Sequence, residues 1–175
     1  MSKTRIIIAI PDAGPLISLA KADALDLLLV FKDRVKIVIT DVVHHEVTHN
    51  PVDYPDATKI RDFLSRHSDQ VLVEKTTYGD LVLFRMQNDP GWDFPPDAGE
   101  LSIQSYVVNL VDRPPGPPVL VITEDQWFEK HSGTTPGNIH LVSTSAYLKA
   151  LYKMFNIQSA GVVLKKLFST TAAFI

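Results

Sequence analysis

Four acidic residues lie at comparable places relative to the apolar segments of the chain. Asp12 directly follows the run IIIAIP, and Asp125 follows VLVIT. Glu46 lies in the helical segment after VKIVI, and Glu100 opens the helical segment after a loop that contains two aromatic residues. In open parallel sheets, ligands bind beyond the carboxyl ends of the strands. The recurrence predicts that these four carboxylates meet at that edge of a sheet.

Glu46 and Glu100 are the most informative of the four because each shares a helical stripe with apolar side chains. Glu46 is three residues beyond Val43, and Glu100 aligns with Ile103 and Val107. A carboxylate on the core-facing stripe of a helix is costly unless its charge is compensated. A solvated outer helix face therefore does not account for these two residues.

Helix capping is the alternative interpretation for some of these acids. Asp12 has the position of a residue that caps the following helix. Asp97-Ala98-Gly99-Glu100 has the spacing of a capping box, with Asp97 as the cap and Glu100 reaching back to it. Neither interpretation excludes a second role at a ligand site.

Clustered carboxylates have a definite chemistry, because hard cations such as Mg²⁺ or Mn²⁺ take oxygen ligands. Without a cation, converging carboxylates repel each other and destabilise the site. With one or two ions bound, such a cluster can orient a water, lower its pKa and neutralise a phosphodiester. Because no residue offers a covalent nucleophile beside a base, we expect metal-activated water to be the attacking group.

One of these acids, Glu46, also belongs to a second motif that indicates a different chemistry. His45-Glu46-Val47-Thr48-His49 matches H-E-x-x-H, in which two histidines hold Zn²⁺ and the glutamate is the general base of a zinc hydrolase. We expect Asn50-Pro51 to end this helix immediately, and no downstream helix offers an obvious third ligand. The zinc interpretation therefore stays as the weaker alternative.

The elements that must position the acids alternate between strands and helices. Apolar and β-branched runs predict five strands, at Ile6–Ile10, Val35–Ile39, Val71–Val73, Val119–Ile122 and Ile139–Val142. Helical patterns separate them, including segments at Asp41–His49 and from Leu101 onward. This alternation predicts an α/β fold with a parallel sheet and helices on both faces.

Composition restricts the possible classes of protein. The chain has 175 residues, no cysteine and a net charge of −3. We expect one domain over residues 1–175, no thiolate metal site, and nucleic-acid binding only through a local patch or bound metal ions. No apolar run reaches the roughly 20 residues that span a bilayer, and Pro11-Asp12 interrupt the first run too early for a signal peptide. A cytoplasmic location is expected.

Four segments together resemble one family. They are IIIAIPDAGPLISLAK, ITDVVHHEV, DAGELSIQSYV and VLVITEDQWF, and they span Ile6 to Phe128 in order. In these segments the chain resembles the PIN-domain ribonucleases, most closely the branch that includes VapC-type toxins. The resemblance implies a three-layer α/β/α PIN-like domain with a central parallel sheet. It also implies Mg²⁺- or Mn²⁺-dependent endoribonuclease activity.

The resemblance also assigns roles to residues. It implies that Asp12, Glu46, Glu100 and Asp125 are the catalytic metal ligands. Thr123 would be the supporting hydroxyl two residues before the last acid. Asp97 would also assist in binding the metal, through the third motif.

Two departures from the family pattern leave an alternative open. Gly14 stands where many relatives carry a Ser, Thr or Asn that supports the first acid, and Glu100 stands where many toxins carry Asp. A PIN-like RNA-binding module with a weak metal site therefore remains the second candidate. For a toxin-type nuclease we expect an RNA substrate, a cognate antitoxin protein and a homodimer, and no membrane association. Trp92 or Phe94 could stack a base.

Overall fold

One parallel sheet forms the centre of the molecule. The structure, a computed structural model, describes residues 6–49, 55–110, 116–131 and 137–168. Its five strands are β1 (Ile8–Pro11), β2 (Lys36–Thr40), β3 (Val71–Glu74), β4 (Val119–Ile122) and β5 (Ile139–Val142). They lie in the order β3-β2-β1-β4-β5, and every neighbouring pair is parallel. The predicted α/β class with a central parallel sheet is confirmed.

Helices connect the strands and cover the sheet. They are α1 (Ala13–Lys21), a 3-10 helix (Leu25–Phe31), α2 (Asp41–Thr48), α3 (Pro55–Arg66), α4 (Thr77–Asn88), α5 (Ala98–Asn109), α6 (Trp127–Lys130), α7 (Thr144–Phe155) and α8 (Gln158–Phe168). Among the described residues, no helix is both long enough and apolar enough to cross a bilayer.

The order of the strands reverses beside β1. The chain runs from β1 to β2 and β3 on one side, and then returns past β1 to form β4 and β5 on the other. Because parallel crossovers are right-handed, the helices of the two directions cover opposite faces of the sheet. The carboxyl ends of β1 and β4 are neighbours at this reversal, with Pro11 paired to Ile122. Open α/β sheets form their ligand crevice at such a point.

Burial of apolar side chains on both faces fixes the sheet. All four residues of β1 are buried, and Ile10 has no exposed surface. Phe63 of α3 and Phe128 of α6 are the largest fully buried side chains in the described part of the chain. A strand that is covered on both faces has a nearly continuous apolar sequence, which is why β1 and β4 could be predicted.

Helix starts differ from the sequence-based expectations. The α1 helix begins at Ala13, directly after Asp12, and α5 begins at Ala98 and not at Leu101. Asp97 occupies the N-cap position that the capping-box spacing gives it, but its side chain makes no capping hydrogen bond. The short helix α6 was not predicted. Asn50-Pro51, expected to end α2, lies outside the described residues.

A buried acid at the end of β2 has a structural role away from the other acids. Asp41 accepts hydrogen bonds from the backbone N–H and the hydroxyl of Thr76, at 3.0 Å and 2.9 Å. The Thr76 hydroxyl in turn accepts a hydrogen bond of 2.8 Å from Gly79 N–H and so caps α4. A Cβ added at Gly79 would overlap the Asp41 carboxylate. Glycine at this position therefore lets α4 dock onto the start of α2.

We predict that Gly79→Ala destabilises the protein by about 1–3 kcal/mol, because the added methyl group displaces a buried hydrogen-bonded carboxylate. Without this contact, replacing a helical glycine by alanine would instead raise the free energy of unfolding by about 1 kcal/mol. Urea unfolding measures the difference. Gly137→Ala is the control, since no atom lies within 4 Å of its added Cβ. A Gly79→Ala protein more stable than the wild type would contradict this account of the α2–α4 contact.

Candidate active site

A cavity of about 260 Å³ opens at the reversal of strand order. Its lining includes five carboxylate residues, namely Asp12, Glu46, Glu100, Glu124 and Asp125. The four acids singled out in the sequence therefore lie around one space, although as many as 113 positions separate them along the chain. Asp97 does not line this cavity; its charge acts on Tyr78, whose pKa is raised by burial and by Asp97.

Asp12 is the fixed acid at the floor of the cavity. It directly follows β1 and caps α1, and only 6% of its surface is exposed. One carboxylate oxygen, Oδ1, accepts a hydrogen bond of 2.8 Å from Ala13 N–H, and Oδ2 accepts one of 3.0 Å from the Thr123 hydroxyl. Asp12 therefore caps α1 and lines the cavity at the same time. Each oxygen keeps a lone pair that can bind a ligand.

Thr123 links the two central strands at this edge. Its hydroxyl donates to Asp12 across 111 positions of sequence and accepts a hydrogen bond of 3.1 Å from Asp125 N–H. The Asp125 carboxylate then accepts a hydrogen bond of 2.7 Å from Trp127 N–H at the start of α6. The turn after β4 is therefore ordered by Thr123 and Asp125, and it brings the exposed Asp125 to the cavity.

Gly99 allows α5 to approach the other acids closely. A Cβ added there would lie 2.9 Å from Glu46 Oε2 and 3.3 Å from Asp12 Oδ1. Both carboxylates therefore lie against the same side of Gly99, next to Glu100 in the first turn of α5. Side chains at this point would force the carboxylates apart. A glycine before Glu100 is the residue type that the packing requires.

Two buried hydroxyl groups hold the first turn of α5 against the sheet. Ser102 donates a hydrogen bond of 2.7 Å to the carbonyl of Gly99, and its oxygen lies 2.6 Å from the Thr40 hydroxyl. Because Ser102 uses its one hydrogen on Gly99, Thr40 must be the donor of the second bond. Thr40 ends β2 and precedes α2. The Thr40–Ser102 pair therefore fixes the position of Glu100 on α5 relative to Glu46 on α2. These hydroxyls were not identified from the sequence.

Burial, and after it the charge of neighbouring acids, raises the pKa of Asp12, Glu46 and Glu100. Burial raises the pKa of Asp12, opposed by its hydrogen bonds from Ala13 and Thr123. The pKa of Glu46 is raised to about 7 by desolvation and then by the charge of Asp12. The pKa of Glu100 is also raised to about 7, by desolvation and by Asp12. Glu46 keeps exposed surface toward the cavity, yet the protein around it excludes enough water to favour its neutral form.

Glu124 is a cavity residue that the sequence analysis did not select. Its Oε1 accepts a hydrogen bond of 2.7 Å from Thr144 N–H at the start of α7. Its Cγ lies 3.9 Å from the position of a Cβ on Gly14, so Glu124 also borders the start of α1 at an ordinary contact distance. The adjacency of Glu124 to Asp125 was the only sequence signal available.

The histidines of the H-E-x-x-H motif face different surroundings from its glutamate. The rings of His45 and His49 stack with their centroids 5.0 Å apart, and Phe94 packs on His45 at 5.8 Å. Glu46 points instead to the cavity beside Asp12. Across the residues that the structure describes, no three His, Cys, Asp or Glu side chains converge closely enough to enclose a metal ion as they stand. The motif therefore lacks a third zinc ligand there.

Comparison with known families identifies the first half of this fold. Residues 8–88 match the family model described as DUF3368: PIN domain. The similarity to PIN domains therefore covers the part of the chain from β1 to α4. The matched segment includes Asp12 and Glu46 and ends before Glu100 and Asp125, which the fold brings to the same cavity.

Other comparisons add little to this assignment. No curated protein sequence matches the chain. Among solved structures, this chain resembles a chain in the crystal structure of VapBC2 from Rickettsia felis bound to a DNA fragment from their promoter. The two are 14% identical, the match covers 78% of this chain and 98% of that one, and the TM-score is 0.46. No conclusion on function follows from a likeness of this degree.

The raised pKa values predict a pH dependence of stability. Between pH 4.5 and about 7, the folded protein retains protons on Glu46 and Glu100 that the unfolded chain releases. The free energy of unfolding must therefore fall as the pH rises through this window, because the folded state binds more protons. In Glu100→Gln this contribution is absent, so the variant should gain stability relative to the wild type at pH 8 and not at pH 4.5.

Urea unfolding in EDTA at the two pH values measures this difference, and groups that titrate equally in both proteins cancel. Asp80→Asn, an exposed change on α4, is the control and should show no pH-dependent difference. An equal stability difference between Glu100→Gln and the wild type at both pH values would show that Glu100 is not held at a raised pKa.

Proposed function

We propose that the protein is a metal-dependent endoribonuclease in which the four predicted acids bind Mg²⁺ or Mn²⁺. The observation that supports this most directly is the cavity at the reversal of strand order, with a buried Asp12 surrounded by carboxylates. Burying like charges without a counter-charge is unfavourable, and the raised pKa values of Glu46 and Glu100 express that cost. A cation in the cavity would remove it.

The donor set fits a hard divalent cation. The carboxylate residues of the cavity supply oxygen, and among the described residues no histidine lines it. Asp12 is held in place by two hydrogen bonds, whereas Glu46 and Asp125 are exposed and Glu100 is half-exposed. Rotation of these freer side chains toward Asp12 would complete a ligand set. Asp97 lies outside the cavity, so we do not propose it as a direct ligand.

The residues of the chain have separate tasks in this proposal. Asp12 provides a fixed oxygen whose orientation Ala13 and Thr123 set. Glu46 and Glu100, with pKa values of about 7 while no ion is bound, would lose their protons as they bind the cation. A bound ion would lower the pKa of a water molecule and neutralise the phosphodiester. The hydrogen bond from Thr123 gives Asp12 the support that Gly14 does not supply.

The wider assignments rest on the family resemblance. We propose that residues 1–175 act as one nuclease domain and that RNA is the substrate, as in the PIN-domain ribonucleases. We also propose that the protein is the toxin of a toxin–antitoxin pair, so that an antitoxin protein covers the acidic cavity. Homodimerisation is expected from the same resemblance. A catalytically weak RNA-binding module is the result that the following experiment separates from these.

We predict that Mn²⁺-dependent cleavage of single-stranded RNA falls by at least about 100-fold in Asp12→Asn, because the fixed ligand oxygen is lost. EDTA should abolish the wild-type reaction. Gly99→Ala changes no carboxylate, but its methyl group displaces Glu46, so cleavage should fall while the protein stays folded. Cleavage of a labelled RNA, with circular dichroism as the folding check, measures both effects.

Asp80→Asn on the exposed face of α4 is the matched control and should retain full activity. RNA binding without turnover at any Mn²⁺ concentration would favour the binding module. Unchanged cleavage by Asp12→Asn would reject the assigned site.

A further inference from the structure

Four aromatic and imidazole rings form a continuous ladder, which we call the ring ladder and define as His49, His45, Phe94 and Trp92. The His49 and His45 rings stack at an interplanar angle of 24°, and Phe94 lies 5.8 Å from His45 at 32°. Trp92 meets Phe94 edge to face, with ring centroids 6.4 Å apart. The ladder joins the loop after α4 to the outer part of α2.

The ring ladder adjoins the acidic cavity. His45 directly precedes Glu46 in α2, and Phe94 lies two residues before Pro96; both Glu46 and Pro96 line the cavity. His49 is exposed, and the other three rings are half-exposed. Packing of the loop onto α2 accounts for the inner contacts of the ladder. It does not account for aromatic surface that stays open to solvent at both ends, at His49 and at Trp92.

We propose that the ring ladder stacks the unpaired bases of an RNA strand whose phosphodiester enters the cavity. This inference rests on the proposed nuclease function and adds the surface that would hold the bases beside the cavity. Aromatic rings bind any base through its π-face, so such a contact tolerates sequence variation. In a duplex the bases already stack on each other and lie inside the helix. A paired strand therefore cannot use the ladder without unstacking.

The charges beside the ring ladder favour contacts with the bases of an RNA over contacts with its phosphates. Carboxylates surround the cavity, so the sugar–phosphate backbone is repelled there unless metal ions are bound. The ring ladder offers a stacking surface beside that cavity. Binding energy gained on the bases would hold the strand close to the carboxylates while the scissile group is positioned.

The test compares an unstructured RNA hexamer with an abasic strand of equal length and charge. Fluorescence anisotropy measures both affinities in EDTA, which prevents metal-dependent cleavage. We expect the wild type to bind the hexamer about tenfold more tightly per stacked base than the abasic strand. His49→Ala and Phe94→Leu should each bring this affinity ratio closer to one, and a duplex of the hexamer should bind no better than the abasic strand.

Two variants outside the ladder serve as matched controls. His140→Ala changes an exposed histidine on β5, at the far edge of the sheet, and Phe168→Leu changes an exposed residue of α8. Both should keep the wild-type ratio. If Phe94→Leu unfolds, the exposed His49→Ala variant still decides the result. A ratio of one in the wild type, or a ratio unaffected by His49→Ala, would overturn the proposal.

Cleavage with Mn²⁺, measured on the same proteins, separates the two proposals. A base-dependent affinity that persists without any cleavage would reject the nuclease function and retain the ladder as a binding surface. Cleavage without base-dependent affinity would retain the nuclease function and reject the ring ladder as a base-binding surface.

Discussion

The hydrogen bond from Thr123 to Asp12 is the interaction on which the candidate site depends. It joins the residues that follow β1 and β4, the two strands between which the order of the sheet reverses. Without it, Asp12 would be a buried carboxylate satisfied by one backbone N–H alone. With it, the acid is fixed at the base of a cavity, and the other carboxylates are placed around a defined point. The fold thus keeps a negative group in a poorly solvated place at a cost in stability.

Several other contacts serve the same arrangement from farther away. The Thr40–Ser102–Gly99 chain fixes the first turn of α5, and the absence of a side chain at Gly99 lets that turn approach Glu46. The Asp41–Thr76 contact fixes the start of α2 against α4. Because α2 and α5 each carry one acid of the cavity, these contacts set the distance between Glu46 and Glu100. Such polar packing stores unfavourable charge in one place, which is a common property of functional sites.

The sequence predicts the central strands well and the contacts between them poorly. The bounds of β4 and β5 were predicted correctly because apolar runs and turn residues mark them locally. The same local signals place Asp12 and Asp125 after their strands. The helical pattern indicated α5 only from Leu101, because Gly99 is a poor helix former, whereas the capping-box spacing already had its cap at Asp97, where the helix begins. What permits glycine there is the approach of Glu46, a tertiary contact.

Roles of single side chains were harder to predict than elements. Glu124 looked like an ordinary surface acid until the fold placed it on the cavity, and Ser102 had no sequence signal at all. The ring ladder unites His45 and His49 of α2 with Phe94 of a distant loop, so neither segment predicts it alone. The contacts of Ser102 with Thr40 and of His45 with Phe94 could be found only in the folded chain.

Anomalous diffraction from a crystal soaked in Mn²⁺ is the most direct test of metal binding in the acidic cavity, because the anomalous peak shows which side chains surround the ion. The account predicts an anomalous peak in the cavity with Asp12 as a ligand and at least one of Glu46, Glu100 and Asp125 beside it. A peak between His45 and His49, or a cavity that stays empty at saturating Mn²⁺, would contradict it.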